Sequence, residues 1–169
     1  KEKDAEAAKK RFAFEEVFLI QVARALERQT HAARNAYEID ADEARVETFT
    51  SSFPFSPTDG QKKAIVEILK DFEKPHPMYR LLEGDVGSGK TAVAAATAYA
   101  AATSRPKNKK GVIQDFGRLQ VAYLCPTEIL AKQHFKTFTD FFIDHPIQIG
   151  LITGSGCYKF PSKVNKREA

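Results

Sequence analysis

The stretch Gly84-Asp85-Val86-Gly87-Ser88-Gly89-Lys90-Thr91 constrains this chain more than any other. It fills every fixed position of the phosphate-binding pattern G-x-x-x-x-G-K-[ST]. By accident, four such positions match in roughly one chain in two hundred of this size. The flanks lower that further: Tyr79–Glu83 reads as a short strand, and Ala92–Tyr99 is a strong helix former. Strand, glycine loop and helix are the context in which backbone N–H groups and a helix N-terminus meet phosphate oxygens. Lys90 is expected to reach the β- and γ-phosphates, and the Thr91 hydroxyl to ligate Mg²⁺. Gly84, Asp85, Val86, Gly87, Ser88 and Gly89 form the rest of the cradle. Turnover needs more than a cradle. It requires an acidic residue on a second strand and usually an arginine.

The length of 169 residues suits one domain, or a domain with an appendage. The formal net charge of +4 permits a nucleic-acid partner without demanding one. Cys125 and Cys157 have no metal-ligand spacing, which favours free thiols in a reducing compartment. No stretch is long and apolar enough to span a membrane, and the first residues do not read as a signal peptide. A cytoplasmic protein is expected.

Asp4 to about Tyr37 holds no Gly or Pro and predicts one long helix. Phe12, Leu19 and Leu26 recur every seven positions, and Phe14 and Phe18 widen the apolar arc. One reading is a strut between two domains; the other is a core helix with a basic outer face. The length favours the strut. Residues 1–39 are therefore taken as a linker helix and 40–57 as a linker that pins Phe49, Phe53 and Phe55. Thr58 and Gln61 have capping-box spacing ahead of a helical stripe of Ala64, Ile65, Ile68, Leu69 and Phe72. Gln61 has a second reading, as an amide hydrogen-bonding the edge of an adenine. Locally the cap is favoured; the phosphate loop downstream adds weight to the adenine.

Beyond the Ala-rich helix, Ser104–Gly117 is a polar, basic connection with nothing aromatic in its basic part to stack on bases. A surface loop is the simpler reading. Leu119–Cys125 reads as a buried parallel strand and Ile147–Ile152 as a third, with a helix between them. His134 on that helix has no partner at metal-ligand spacing and is expected to pack or cap. The alternation, with its phosphate loop, predicts an α/β fold of the P-loop NTPase type, a doubly wound parallel sheet preceded by the long helix. Ligands then gather at the carboxyl ends of the strands, where Gly84–Thr91, Pro126–Glu128 and Thr153–Gly156 all fall.

These residues resemble the RecG family of superfamily 2 DNA helicases. Leu81–Thr91 looks like the family's motif I, Pro126–His134 its motif Ia, and Leu151–Ser155 its motif Ib. Thr58–Ile65 resembles the stretch carrying the adenine-facing glutamine, and Arg11–Leu19 the helix joining a DNA-binding wedge to the motor. The likeness covers nearly the whole chain and implies that residues 58–169 form the first part of a RecA-like domain whose parallel sheet is incomplete. Mfd-type translocases share part of it, and a P-loop module without DNA chemistry is the reading from another class. The resemblance implies an ATP-driven helicase or translocase acting on forked or junction DNA in repair and recombination. ATP and Mg²⁺ would be held by Gln61 and Gly84–Thr91, with Lys90 and Thr91 in the catalytic roles. DNA would be met by Pro126, Thr127, Glu128, Thr153, Gly154 and Ser155. The chain has no DExH-type box, motif III, second motor domain or wedge. It is expected to work with the remaining RecG domains of a larger protein and not to hydrolyse ATP alone.

Overall fold

The computed structural model describes residues 2–107 and 118–161. Helix α1 runs Glu2–Ala32 without interruption and is followed by β1, Glu38–Ile39. Then come α2 (Glu43–Ser51), α3 (Asp59–Phe72), α4 (Lys90–Thr103) and β2 (Pro106–Lys107). Helix α5 (Glu128–Phe141) leads into a hairpin of β3 (Ile149–Thr153) and β4 (Gly156–Phe160).

Helix α1 stops at Ala32, five residues before Tyr37. It is not a core helix of the described residues. Phe12 is 69% exposed, and Phe14, Phe18, Leu19 and Leu26 are exposed as well. Its surface is laced by i,i+4 ion pairs, Lys10 to Glu6 at 3.0 Å and Arg11 to Glu15 at 2.9 Å, which give modest helical support. The end of the helix is tied down: His31 stacks on Tyr79 with centroids 5.3 Å apart, and the Ala36 N–H donates to the Pro75 carbonyl.

The stretch 40–57, expected to be irregular, folds a helix of its own. Asp42 caps α2 by accepting from the Arg45 N–H, and Val46 and Phe49 follow one turn apart on its buried side. A nine-residue helix is too short to stand alone, so packing makes it. Phe49 lies flat on Tyr99 of α4, with centroids 4.1 Å apart and planes 3° from parallel. Phe53 stacks on Phe141 with centroids 4.2 Å apart and planes tilted by 23°. The core forms where α2, α3, α4 and the end of α5 meet. Ile65, Ile68 and Leu69 of α3 face Ala92, Val93, Ala95, Ala96 and Ala100 of α4. The alanines let the helix axes approach closely, which is why an Ala-rich helix lies at the centre.

The expected parallel sheet is not assembled among the described residues. The strands present form two antiparallel pairs, β1 with β2 and β3 with β4. Tyr79–Glu83 and Leu119–Cys125, both read from sequence as strands, lie in no ladder. Ile147–Ile152 contributes β3, but its partner is antiparallel: Thr153 pairs with Gly156 across the turn Gly154-Ser155. A parallel strand depends on neighbours delivered by crossovers, and neither stretch is paired in a ladder with another described segment. Leu81 is accordingly 79% exposed and Leu124 91%. No helix of the described residues is long and apolar enough to cross a membrane. Of the basic connection, 108–117 lies outside the described residues; Lys107 is held by Asp40 at 2.6 Å.

Candidate phosphate loop and polar turns

The glycine loop is shaped by its own backbone and by Gln61. Gly89 caps α4 in the left-handed region at φ +79°, and Gly87 lies there at φ +83°. At Gly89 a side chain has no room either, because a Cβ would run into the Gln61 amide. The Gln61 amide works on two fronts. Its Oε1 accepts the Thr58 N–H at 3.0 Å, closing the capping box of α3. Its Nε2 donates to the Ser88 carbonyl at 2.7 Å, so the cap of one helix also braces the loop. One N–H and one acceptor lone pair of that amide are left over, the pair that an adenine edge would need.

Lys90 opens α4, and its ammonium donates to the carbonyls of Gly84 at 2.6 Å and Asp85 at 2.7 Å. The cation is thus folded over the loop that its backbone follows. Thr91, half-buried, is next on the first turn, while Val86 at the loop tip is fully exposed. No group of three or more His, Cys, Asp or Glu among the described residues could hold a metal ion. A Mg²⁺ here would take Thr91 as one ligand and find its others on phosphate and water, which suits that ion.

The approach to the loop is anchored by charges that the sequence reading missed. Arg80 Nη2 meets Asp71 Oδ2 at 2.7 Å and Nη1 meets Glu67 Oε2 at 3.0 Å; Lys74 Nζ binds the other Asp71 oxygen at 2.7 Å. The Arg80 guanidinium, and then Lys74, hold the Asp71 carboxyl below its ordinary range. A carboxyl depressed in the folded state stabilises above its unfolded pKa, and that contribution goes as pH falls through the folded value. Acidification below about pH 4 should therefore loosen α3 from Tyr79–Glu83. Asp71→Asn should lower the melting temperature at neutral pH and shrink the difference between pH 7 and pH 3, read by circular dichroism.

Pro126 is exposed just before α5, and Thr127 caps that helix by accepting the Leu130 N–H at 3.3 Å. Glu128 reaches across to the hairpin, where its Oε1 accepts from the Ser155 hydroxyl and pairs with Lys132 Nζ at 2.7 Å. Thr153 Oγ1 donates to the Gly156 carbonyl at 3.1 Å, tightening the turn around Gly154. The two polar turns are therefore joined directly, and the glycine loop is joined to Gln61. His134 packs edge-on against Tyr123, with centroids 5.4 Å apart. Sequence reasoning gave no role to Arg80 or Asp71 and took Lys132 only as part of the stretch Pro126–His134; Asp71 three residues before Lys74 and Glu128 four before Lys132 were the local signals.

Gly89→Ala tests the loop geometry. Alanine at φ +79°, with the Gln61 amide displaced, should cost about 1–3 kcal/mol. A lower melting temperature and weaker nucleotide binding by fluorescence titration are the expected results.

The DEAD/DEAH box helicase family matches residues 58–166. The ATP-dependent DNA helicase RecG of Aquifex aeolicus is 40% identical over 146 residues, which is 86% of this chain and 17% of that protein. The RecG of Staphylococcus aureus is 39% identical over 149 residues, 88% of this chain and 20% of that one. A solved structure of RecG bound to a three-way DNA junction superposes with a TM-score of 0.67 at 35% identity, over 82% of this chain and 17% of that chain. The chain thus spans about a fifth of the length of the curated relatives it matches. With a helicase family matched across most of its length, and RecG proteins matched in sequence and fold, this chain belongs to the DEAD/DEAH box helicases and is a region of the RecG type.

Proposed function

We propose that this chain is the ATP-binding portion of a RecG-type DNA translocase that remodels stalled replication forks and recombination junctions. The observation that carries the reading is the Lys90 ammonium held over the glycine loop by the Gly84 and Asp85 carbonyls. In this reading the β- and γ-phosphates of ATP take over that ammonium, and the loop N–H groups and the start of α4 supply the remaining positive field. Bound Mg²⁺, with Thr91 as one ligand, would neutralise the charge that develops on the phosphates. Gln61 holds the loop and offers its remaining donor and acceptor to adenine.

Pro126, Thr127, Glu128, Thr153, Gly154 and Ser155 line the two joined turns, which we assign to the DNA backbone. Such contacts position the protein without reading sequence. A relative of known structure is bound to a branched DNA, which supports a junction as the substrate here. In a longer product, Tyr79–Glu83 and Leu119–Cys125 would gain sheet neighbours and complete a RecA-like domain. Residues 58–169 then form the start of that domain, 1–39 the strut entering it, and 40–57 the connection between them. The work would be done in the cytoplasm, alongside the DNA.

The test is remodelling of a synthetic fork by the full-length gene product with Mg²⁺ and ATP. Conversion to separated or regressed strands that requires hydrolysable ATP is the expected result. No conversion, with nucleotide binding indifferent to DNA, would leave a phosphate-binding module of another kind.

A further inference from the structure

We propose that Lys132 is a further contact for the nucleic-acid backbone and that the Glu128 carboxylate positions it, beside any contact that the turn at Glu128 makes through its main chain. The proposal rests on the assignment of the two polar turns to DNA and goes further, since it names a residue outside them. Its ligand is a phosphodiester oxygen.

A serine or threonine hydroxyl has one hydrogen to donate. Ser155 gives its hydrogen to Glu128, and Thr153 gives its to the Gly156 carbonyl. In this arrangement neither side-chain hydroxyl is left to donate to a phosphate, so the turns themselves would meet the backbone through main-chain N–H groups. The Lys132 ammonium has three hydrogens, of which the Glu128 carboxylate takes one at 2.7 Å. Two remain, on a side chain that is half exposed beside the hairpin turn.

Ordinarily a Glu–Lys pair four residues apart on a helix surface adds little to stability. What separates this pair from decoration is the third member. The oxygen that receives Lys132 also receives Ser155, 27 residues further along the chain. The cation is thereby fixed against a second turn and does not sweep freely from the helix. Lys132 also offsets the carboxylate, so the joined turns do not confront an approaching phosphate with a bare negative charge. Consistent with this, the Lys132 bond first and the Ser155 bond second depress the Glu128 pKa, and Glu128 raises that of Lys132.

The experiment is duplex binding by the full-length protein across a salt series, with ATP affinity measured in parallel. Lys132→Gln should weaken binding by about three- to tenfold, the size of one net hydrogen bond. It should also lower the slope of log affinity against log salt by about 0.9, the mark of one lost phosphate contact. Lys132→Arg should restore the slope. Glu128→Ala removes a negative charge, so on charge alone it would strengthen DNA binding; positioning predicts weaker binding instead, with Glu128→Gln recovering most of the loss. An unchanged slope in Lys132→Gln, or tighter binding by Glu128→Ala, would overturn the proposal while leaving the wider function standing. An equal loss of ATP affinity would mark general damage and also overturn it. A wild-type protein that binds no DNA would refute the functional reading, and this proposal with it.

Discussion

Lys90→Ala is expected to lower the DNA-stimulated ATP turnover of the full-length protein by about a hundredfold or more, the usual cost of removing one charge-stabilising donor. Among the described residues the Lys90 ammonium is held by two loop carbonyls, at 2.6 and 2.7 Å, on an exposed side chain. Nothing in the core depends on it, so the melting temperature should barely move. The loss should fall on turnover more than on DNA binding, because the polar turns at Thr127 and Thr153 are built without it. Steady-state ATPase assays with and without forked DNA, beside a duplex-binding titration, separate the two effects. A variant that kept its turnover would remove Lys90 from the phosphate role.

Phe49→Ala should do the opposite, damaging the fold and leaving the chemistry groups in place. Phe49 is 1% exposed and lies flat on Tyr99. It also meets Phe53 edge-on at 5.0 Å, Phe142 at 4.9 Å and His145 at 5.0 Å. Those contacts join α2 to α4 and to the end of α5, so truncation opens the core where three elements meet. Replacing a buried Phe by Ala typically costs about 3–5 kcal/mol. Against a total of about 5–15 kcal/mol for a domain, that is enough to lower the melting temperature of this chain by about 10 °C. Thermal melts followed by circular dichroism will show it. A shift of only a degree or two would mean that α2 is not part of the core.

The contrast between those two residues follows what could be read in the sequence. The glycine loop was legible because phosphate chemistry fixes residue types at fixed spacing, and Gly89 does cap a helix at positive φ. Helix α3 was legible from local pattern alone, since the Thr58–Gln61 capping box and the Ile65, Ile68, Leu69 stripe are confirmed. Helix α2 was missed because nine residues are too few for a period to stand out. Asp42 followed three residues later by Arg45 was the only local cue. The parallel sheet was over-read for a different reason. An apolar run such as Leu119–Cys125 says that a segment suits a sheet interior, but strand partners come from distant segments and are not written in the run itself. The same limit hid the Arg80–Asp71–Glu67 network and the Glu128–Ser155 bridge, whose members are far apart in sequence. The alternatives for Gln61 were framed too narrowly. The amide closes its capping box and also grips Ser88, so cap and loop are one device.

The central claim is that the Gly84–Thr91 loop serves a motor whose ATP use is tied to DNA. The most direct measurement is the ATPase rate of the full-length protein at saturating Mg²⁺ and ATP, titrated with forked DNA. The account predicts a low rate without DNA, a rise that saturates with fork concentration, and its loss in Lys90→Ala. A rate indifferent to DNA, or full activity in Lys90→Ala, would contradict it.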